Sequence, residues 1–279
     1  MTEPPGPFDQ VRIGAATAWA RPEARPWVEA SLDAGLTLHQ AGAGAAGGGE
    51  ALSGGRGPAY VIRCGAGAWV VRHGFRGGAV AALLGDRYLR VGTPRPFHEA
   101  RMSVEARRRG VPTPRVVAAA IYPSGIFYRG DVVTDLVPGA RSVGDLLFGP
   151  ERNQDPAFRE QLIRAAAAMP LRLARWGVQH RDLNVDNLLR PGDNPGGEGG
   201  WPPGELVVLD LDRCRLRRGA LEDGGRAMAA RLERSLRRGE ERRGPALNDR
   251  EWGALRGVSS SPPGEAPPGR PGGGGTGTR

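Results

Sequence analysis

The chain of 279 residues contains no lysine. All 39 of its basic residues are arginine, set against 30 acidic residues, for a formal charge of +9. Richness in Gly, Ala and Pro points to codon bias as one source of this, and a solvated surface needs no further reason. The functional reading is an anionic partner: a nucleotide, a phosphorylated glycan, a membrane surface or a nucleic acid. Cysteine is nearly absent. Cys64 and Cys214 lie far apart and in no Cys-x-x-Cys pattern, which excludes a disulfide framework and a zinc ribbon. Both read as core thiols in a reducing compartment. Aromatic residues are few, at 6%, and are not interleaved with basic ones, so no nucleic-acid-binding motif accompanies the charge. No window approaches the ~18–20 apolar residues that span a bilayer. Met1–Gln10 lacks the basic start and apolar core of a signal peptide. The expectation is a cytoplasmic protein, at most peripheral to a membrane.

What is present changes character along the chain. Residues 1–35 hold Trp19 and Trp27 but show no clear period, and are read as a lead of uncertain structure. Residues 41–58 are very rich in glycine, as a linker or a ligand-cradling loop would be. Tyr60–Cys64 and Trp69–His73 are β-like on either side of Gly65-Ala66-Gly67-Ala68, which predicts a hairpin. Pro96–Arg109 is helical in composition, and Gly110, Pro112 and Pro114 close it. Val116–Ile121 and Asp131–Val137 predict two more strands, the second broken by Pro138-Gly139.

Beyond that break helices take over. Ser142–Phe148 predicts a short helix with Ser142 as N-cap and Asp145 at the capping-box position. Pro156–Trp176 predicts a long helix, with Pro170 as a point of kinking. Leu188–Arg190 is a strand stub, and 191–204 a flexible excursion. Glu205–Asp212 is an apolar run ending in carboxylates, typical of a buried strand. Asp223–Gly239 predicts an arginine-rich helix. Residues 259–279 hold almost nothing to bury and predict a disordered tail. The order predicts an α+β fold of two lobes: a β-rich one over 36–141 and a reduced α-helical one over 142–258.

The stretch His180-Arg181-Asp182-Leu183-Asn184-Val185-Asp186-Asn187 matches the kinase loop H-R-D-L-x-x-x-N at every fixed position. Phosphoryl transfer needs an acceptor hydroxyl aligned with the γ-phosphorus and metal charge on the phosphate oxygens. In that pattern Asp182 orients the hydroxyl or accepts its proton, and Asn187 turns back to hold Mg²⁺. Asp210, at the end of the Leu206–Leu209 run, is the second metal candidate. A carboxylate and a carboxamide suit Mg²⁺, which takes few protein ligands beside phosphate oxygens. His180 reads as a packing residue beside the loop, and Asp186 as a solvated acid. Asp212 is open between a direct role and a salt bridge.

The same logic asks for three parts upstream. Gly54, Gly55 and Gly57 precede the first hairpin strand, where a phosphate-covering loop belongs, although a plain linker would look the same. Arg72 in Trp69-Val70-Val71-Arg72 occupies the place of the strand lysine. Glu99 is its natural helical partner and Glu105 the fallback.

The sequence resembles the 3-deoxy-D-manno-octulosonic acid (Kdo) kinases, grouped with the lipopolysaccharide core heptose kinases. The resemblance runs from about Gly54 to Gly239. It rests on Gly55-Arg56-Gly57, Val71–Gly78, Asp86-Arg87-Tyr88-Leu89, Phe97-His98-Glu99-Ala100-Arg101, Gly110–Pro114, the catalytic loop, Leu209–Arg213 and Arg231–Leu236. Leu211 departs from the family's Asp-Phe-Asp-Arg. The resemblance implies a protein-kinase-like fold and ATP- and Mg²⁺-dependent phosphorylation of the Kdo 4-hydroxyl on a lipid A precursor. It also implies work at the cytoplasmic face of the inner membrane, and an arginine at the position of Arg72. Arg76, Arg87 and Arg90, or Arg231, Arg234, Arg237 and Arg238, would then attract the anionic acceptor, or form a plain solvated face. A peptide kinase would need an A-P-E-closed segment, which is missing. Kinases of other small molecules or core sugars, and a nucleotide-binding pseudokinase, are the remaining alternatives.

Overall fold

The computed structural model describes residues 3–44, 50–52, 57–65, 67–74, 85–192 and 204–259. The first lobe is an antiparallel sheet between two helical layers. Its strands are β1 (Asp9–Ile13), β2 (Ala16–Ala20), β3 (Glu50–Leu52), β4 (Ala59–Cys64), β5 (Gly67–His73), β6 (Tyr88–Leu89), β7 (Val116–Ser124) and β8 (Phe127–Asp135). They lie in the order β1-β2-β7-β8-β5-β4-β3, with β6 added to β8. The β4–β5 hairpin pairs Ala59 with Arg72 through to Cys64 with Gly67.

Alternation along the strands sorts their side chains between the layers. Val71, Ala118, Ala120 and Val133 face α1 (Arg25–Asp33) and α2 (Leu38–Gly44). Ala119, Ile121 and Val132 face α3 (Arg95–Arg108). Small residues in β7 let both helical layers approach. Gly42 of α2 serves the same end, because a Cβ there would lie 3.2 Å from the Val71 side chain. α3 ends in a Schellman turn: Gly110 takes φ +85°, Val111 N–H bonds to Ala106 and Gly110 N–H to Arg107.

Several sequence expectations need correction here. Residues 1–35, a lead of uncertain structure by sequence, are regular from Asp9 onward. β1 and β2 extend the sheet, α1 covers it, and Trp19 is fully buried, stacked on Phe97 at 4.2 Å. The glycine-rich stretch 41–58 is partly regular: its start completes α2 and Glu50–Leu52 forms the edge strand. Cys64 is exposed rather than a core thiol, whereas Cys214 is buried and burial pushes its thiol pKa up. The strand expected at Asp131–Val137 begins earlier, at Phe127.

The second lobe holds β9 (Arg141–Ser142), α4 (Val143–Phe148), α5 (Pro156–Arg175), β10 (Val178–Gln179), β11 (Leu188–Arg190), β12 (Val207–Val208), β13 (Arg215–Leu216), α6 (Arg226–Arg243) and α7 (Asp249–Ser259). Ser142 caps α4: its Oγ accepts from Asp145 N–H at 2.9 Å and donates to Asp145 Oδ2 at 2.8 Å. Asp155 caps α5, which runs through Pro170 as one element. Leu147, Ile163, Met169, Leu173, Leu232 and Leu236 form the core of this lobe. Gly239 lets α6 press onto the Phe148 ring, which fills the space a side chain would need. The buried Arg159–Glu251 pair, at 2.5 Å, ties α7 to α5. The excursion expected at 191–204 and the tail at 259–279 lie almost wholly outside the described residues.

Candidate active site

Two loops are held against each other by short strand pairs. β10 pairs with β13 and β11 with β12. The loop 180–187 hangs between β10 and β11, and the loop 209–214 between β12 and β13. Leu209 N–H donates to the Asn187 carbonyl at 2.9 Å, and Val208 N–H to the Pro112 carbonyl at 2.7 Å. These bonds explain why the apolar run 205–212 pairs as a strand only at Val207–Val208: loop carbonyls take the N–H groups that a longer ladder would use.

His180 is completely buried. Its Nε2 donates to the Leu209 carbonyl at 2.9 Å and its Nδ1 accepts from Asp182 N–H at 3.2 Å. That arrangement fits a neutral ring, and burial lowers its pKa from the usual histidine value. His180 thus joins the two loops and fixes the backbone of Asp182. Asn184 caps the turn after it, accepting from Asp186 and Asn187 N–H. Asn187 Nδ2 donates to the Asp182 carbonyl at 3.0 Å, which leaves Oδ1 as the free end of the amide. Asp186 is exposed and pairs with Arg243 at 3.1 Å.

Asp210 takes φ 60°, ψ 69°, and is the only non-glycine residue of positive φ among the described residues. Asp tolerates that region better than most residues, at a cost of about 1–3 kcal/mol that the surrounding bonds must cover. Asp212 sits beside it. Arg95 Nη1 reaches Asp212 Oδ2 at 3.2 Å, while Asp212 Oδ1 is buried without a hydrogen-bond partner. Burial first, then the negative charges of Asp210 and Glu99, push the Asp212 carboxyl up to about 7.

Across the cleft, Arg72 Nη2 meets Glu99 Oε1 at 2.6 Å. The Glu99 carboxylate holds the guanidinium firmly protonated against the opposing effect of burial. Glu105, the fallback partner, instead bonds Arg109 one turn along its own helix. Gly57 lines the same cleft of about 1170 Å³, together with Arg72, Glu99, Asp182, Asn187 and Asp210. Gly54, Gly55 and Arg76 lie outside the described residues. Arg87 and Arg90 do not line the cleft, and Arg237 points to Glu233 and Trp252. Arg95 and Arg242, which do line it, were missed. With so many arginines in the chain, neither carries a signal of its own.

The model of the lipopolysaccharide kinase (Kdo/WaaP) family matches residues 51–256. A 3-deoxy-D-manno-octulosonic acid kinase of Stenotrophomonas maltophilia K279a is 34% identical over 166 residues, 59% of this chain and 60% of the relative. Another, from Xylella fastidiosa M12, is 34% identical over 185 residues, 66% of this chain and 67% of the relative. The chain thus spans about 60% of the length of the Stenotrophomonas relative it matches. A solved structure described as WaaP in complex with acyl carrier protein is 20% identical, covers 86% of each chain and has a TM-score of 0.48. Since the family model takes in most of the chain, residues 180–187 and 209–214 included, this protein belongs to the lipopolysaccharide kinase (Kdo/WaaP) family.

Proposed function

We propose that the protein is an ATP-dependent sugar kinase that phosphorylates the 4-hydroxyl of Kdo on a lipid A precursor. The observation that carries this reading is the meeting of Asp182, Asn187 and Asp210 with the Arg72–Glu99 pair in one cleft. In the transfer, the acceptor oxygen bonds the γ-phosphorus, the bond to the β-phosphate oxygen breaks, and the hydroxyl proton leaves. Asp182 accepts that proton. Its backbone is pinned by His180 and its carbonyl by Asn184 and Asn187, so the carboxylate is preorganised. Arg72, braced by Glu99, binds phosphate oxygens through a planar fork. Gly57 at the cleft wall lets the backbone approach the phosphates without a side chain in the way.

The residues fit Mg²⁺. Asp210 and Asn187 supply oxygen donors, and the unpartnered Asp212 Oδ1 beside them is a buried acceptor that a hydrated cation would satisfy. Among the described residues no group of three His, Cys, Asp or Glu side chains could hold a metal ion by itself. When bound, Mg²⁺ neutralises charge developing on the transferred phosphoryl group.

A glycolipid acceptor places the enzyme at the cytoplasmic face of the inner membrane. Among the described residues no helix is long and apolar enough to cross a membrane. Exposed Leu89, Val91 and Ile126 instead form an apolar rim beside Tyr88 of the cleft. We expect the protein, given Mg-ATP and a Kdo-bearing lipid A precursor, to add one phosphate by mass. Asp182→Asn should lower kcat by about 10²–10⁴-fold while nucleotide still binds. Nucleotide binding without transfer to any Kdo acceptor by the unaltered protein would refute the reading.

A further inference from the structure

α6 runs beside the catalytic loop, and three contacts hold it there. Met228 Sδ accepts from His180 N–H at 3.2 Å, Ser235 Oγ from Val185 N–H at 3.2 Å, and Arg243 Nη2 donates to Asp186 Oδ1 at 3.1 Å. The contacts follow the same order on helix and loop. Between them stand Arg231, Arg234, Arg238 and Arg242, spaced three, four and four apart, which places them on one helical face. All four line the cleft that contains Asp182.

No side-chain hydrogen bond or ion pair joins any of the four to another described residue. Two other arginines of the helix are matched. Arg237 bonds Glu233 at 2.7 Å and lies over Trp252, and Arg243 bonds Asp186 and lies over Phe148. Like charges three or four residues apart repel one another. A purely solvated face would gain from interspersed acids, as Glu233 serves Arg237. The cleft face has none, so its charge is left for a ligand.

We infer that Arg231, Arg234, Arg238 and Arg242 recognise the acceptor by its anionic groups, binding phosphate and carboxylate while the reacting hydroxyl lies at Asp182. The row extends about 16 Å along the helix, enough for more than one anionic group. Guanidinium forks match both groups bidentately. The nucleotide is served from the opposite wall, by Arg72. This inference rests on the kinase reading above and specifies which feature of the acceptor is read.

The test uses a Kdo-bearing glycolipid in detergent micelles, in phosphorylated and dephosphorylated forms. The Arg234→Gln/Arg238→Gln variant should raise the KM for the phosphorylated acceptor about tenfold or more. The KM for ATP and kcat should stay within about twofold, and Arg237→Gln should match the unaltered protein. The penalty should shrink with the dephosphorylated acceptor. Thermal unfolding of the variant should not fall, since the substitutions relieve repulsion between exposed charges. Equal penalties on both acceptors, a rise in the KM for ATP instead, or weaker vesicle binding with the micellar KM unchanged would each overturn the inference. If the unaltered protein transfers no phosphate, the kinase reading fails by itself. Tryptophan fluorescence on titration with the phosphorylated micelles then still reads the row: binding weakened in the variant supports it, and equal binding refutes it.

Discussion

Arg72 and His73 are adjacent residues with opposite destinations, because successive side chains of β5 leave the sheet on opposite faces. Arg72 enters the cleft and meets Glu99. His73 turns to the α2 side, where Nδ1 contacts the fully buried Asp131 at 2.6 Å and Nε2 contacts Asp86 at 3.0 Å. Asp131 also accepts from Tyr122 Oη at 2.8 Å and from His39 N–H at 2.9 Å, so one carboxylate anchors the start of α2. The His39 ring lies 5.4 Å from His73, and Arg129 stands 4.0 Å from Asp86. Burial alone would lower the His73 pKa, but the bonds and charges of Asp131 and Asp86 outweigh it, and the value is raised above 6.5. The sign follows from linkage. The protonated ring is favoured in the folded state, so its contribution is complete below about 6.5 and is lost as pH rises through the folded pKa. Thermal unfolding of the unaltered protein and of His73→Gln, measured from pH 6 to 9, should show the widest stability gap at the acid end. A gap that stays constant or widens with pH would contradict this assignment.

At the scale of elements, the arrangement that positions Glu99 begins at the N-terminus. Trp19 of β2 stacks on Phe97, two residues before Glu99, and Arg101 lies over the same indole at 5.3 Å. The β1–β2 hairpin therefore braces α3 from the face opposite α2. Trp19→Ala should cost about 3–5 kcal/mol in urea unfolding, and should raise the KM for ATP in whatever folded fraction remains. A loss under about 1 kcal/mol would show that the hairpin is an appendage. This brace was illegible in the sequence, because β1 and β2 are short and lack an apolar period, and their partner β7 lies about a hundred residues away. The geometry of residues 180–187 was legible because it is local: one turn sets Asp182 and Asn187, and Asp210 ends a visible apolar run. The Arg72–Glu99 pair was legible as well, through strand and helix patterns on each side. Arg95–Asp212 was not, since it joins positions 117 apart in a chain where arginine is everywhere. Asp131 was also passed over, a lone carboxylate inside a strand whose partners come from three other segments.

For the whole molecule, the basic charge and the apolar rim suggest how a protein with no crossing helix among its described residues would meet the proposed glycolipid acceptor. Leu89 is 48% exposed, Ile126 68% and Val91 82%. They are held together by the β6–β8 pairing of Leu89 with Phe127 and by the Arg90 N–H bond to the Ile126 carbonyl at 2.9 Å. Arg87, Arg90 and Arg129 flank them. Tyr88, next to Leu89, lines the cleft, so a surface that takes up this rim would lie at the cleft mouth. Apolar tips with flanking arginines suit an anionic lipid interface, where each basic group adds roughly 1 kcal/mol and a buried Val or Ile about 1.5–3 kcal/mol. Val91→Asp/Ile126→Asp should therefore lower cosedimentation with phosphatidylglycerol vesicles by at least about tenfold, while thermal unfolding hardly changes because both side chains are already in water. Raising the salt should remove the arginine share and leave the apolar share, so the unaltered protein should keep part of its binding where the variant keeps none. Vesicle binding equal in the two proteins, or abolished by salt in both, would place the membrane contact on charge alone and away from this rim.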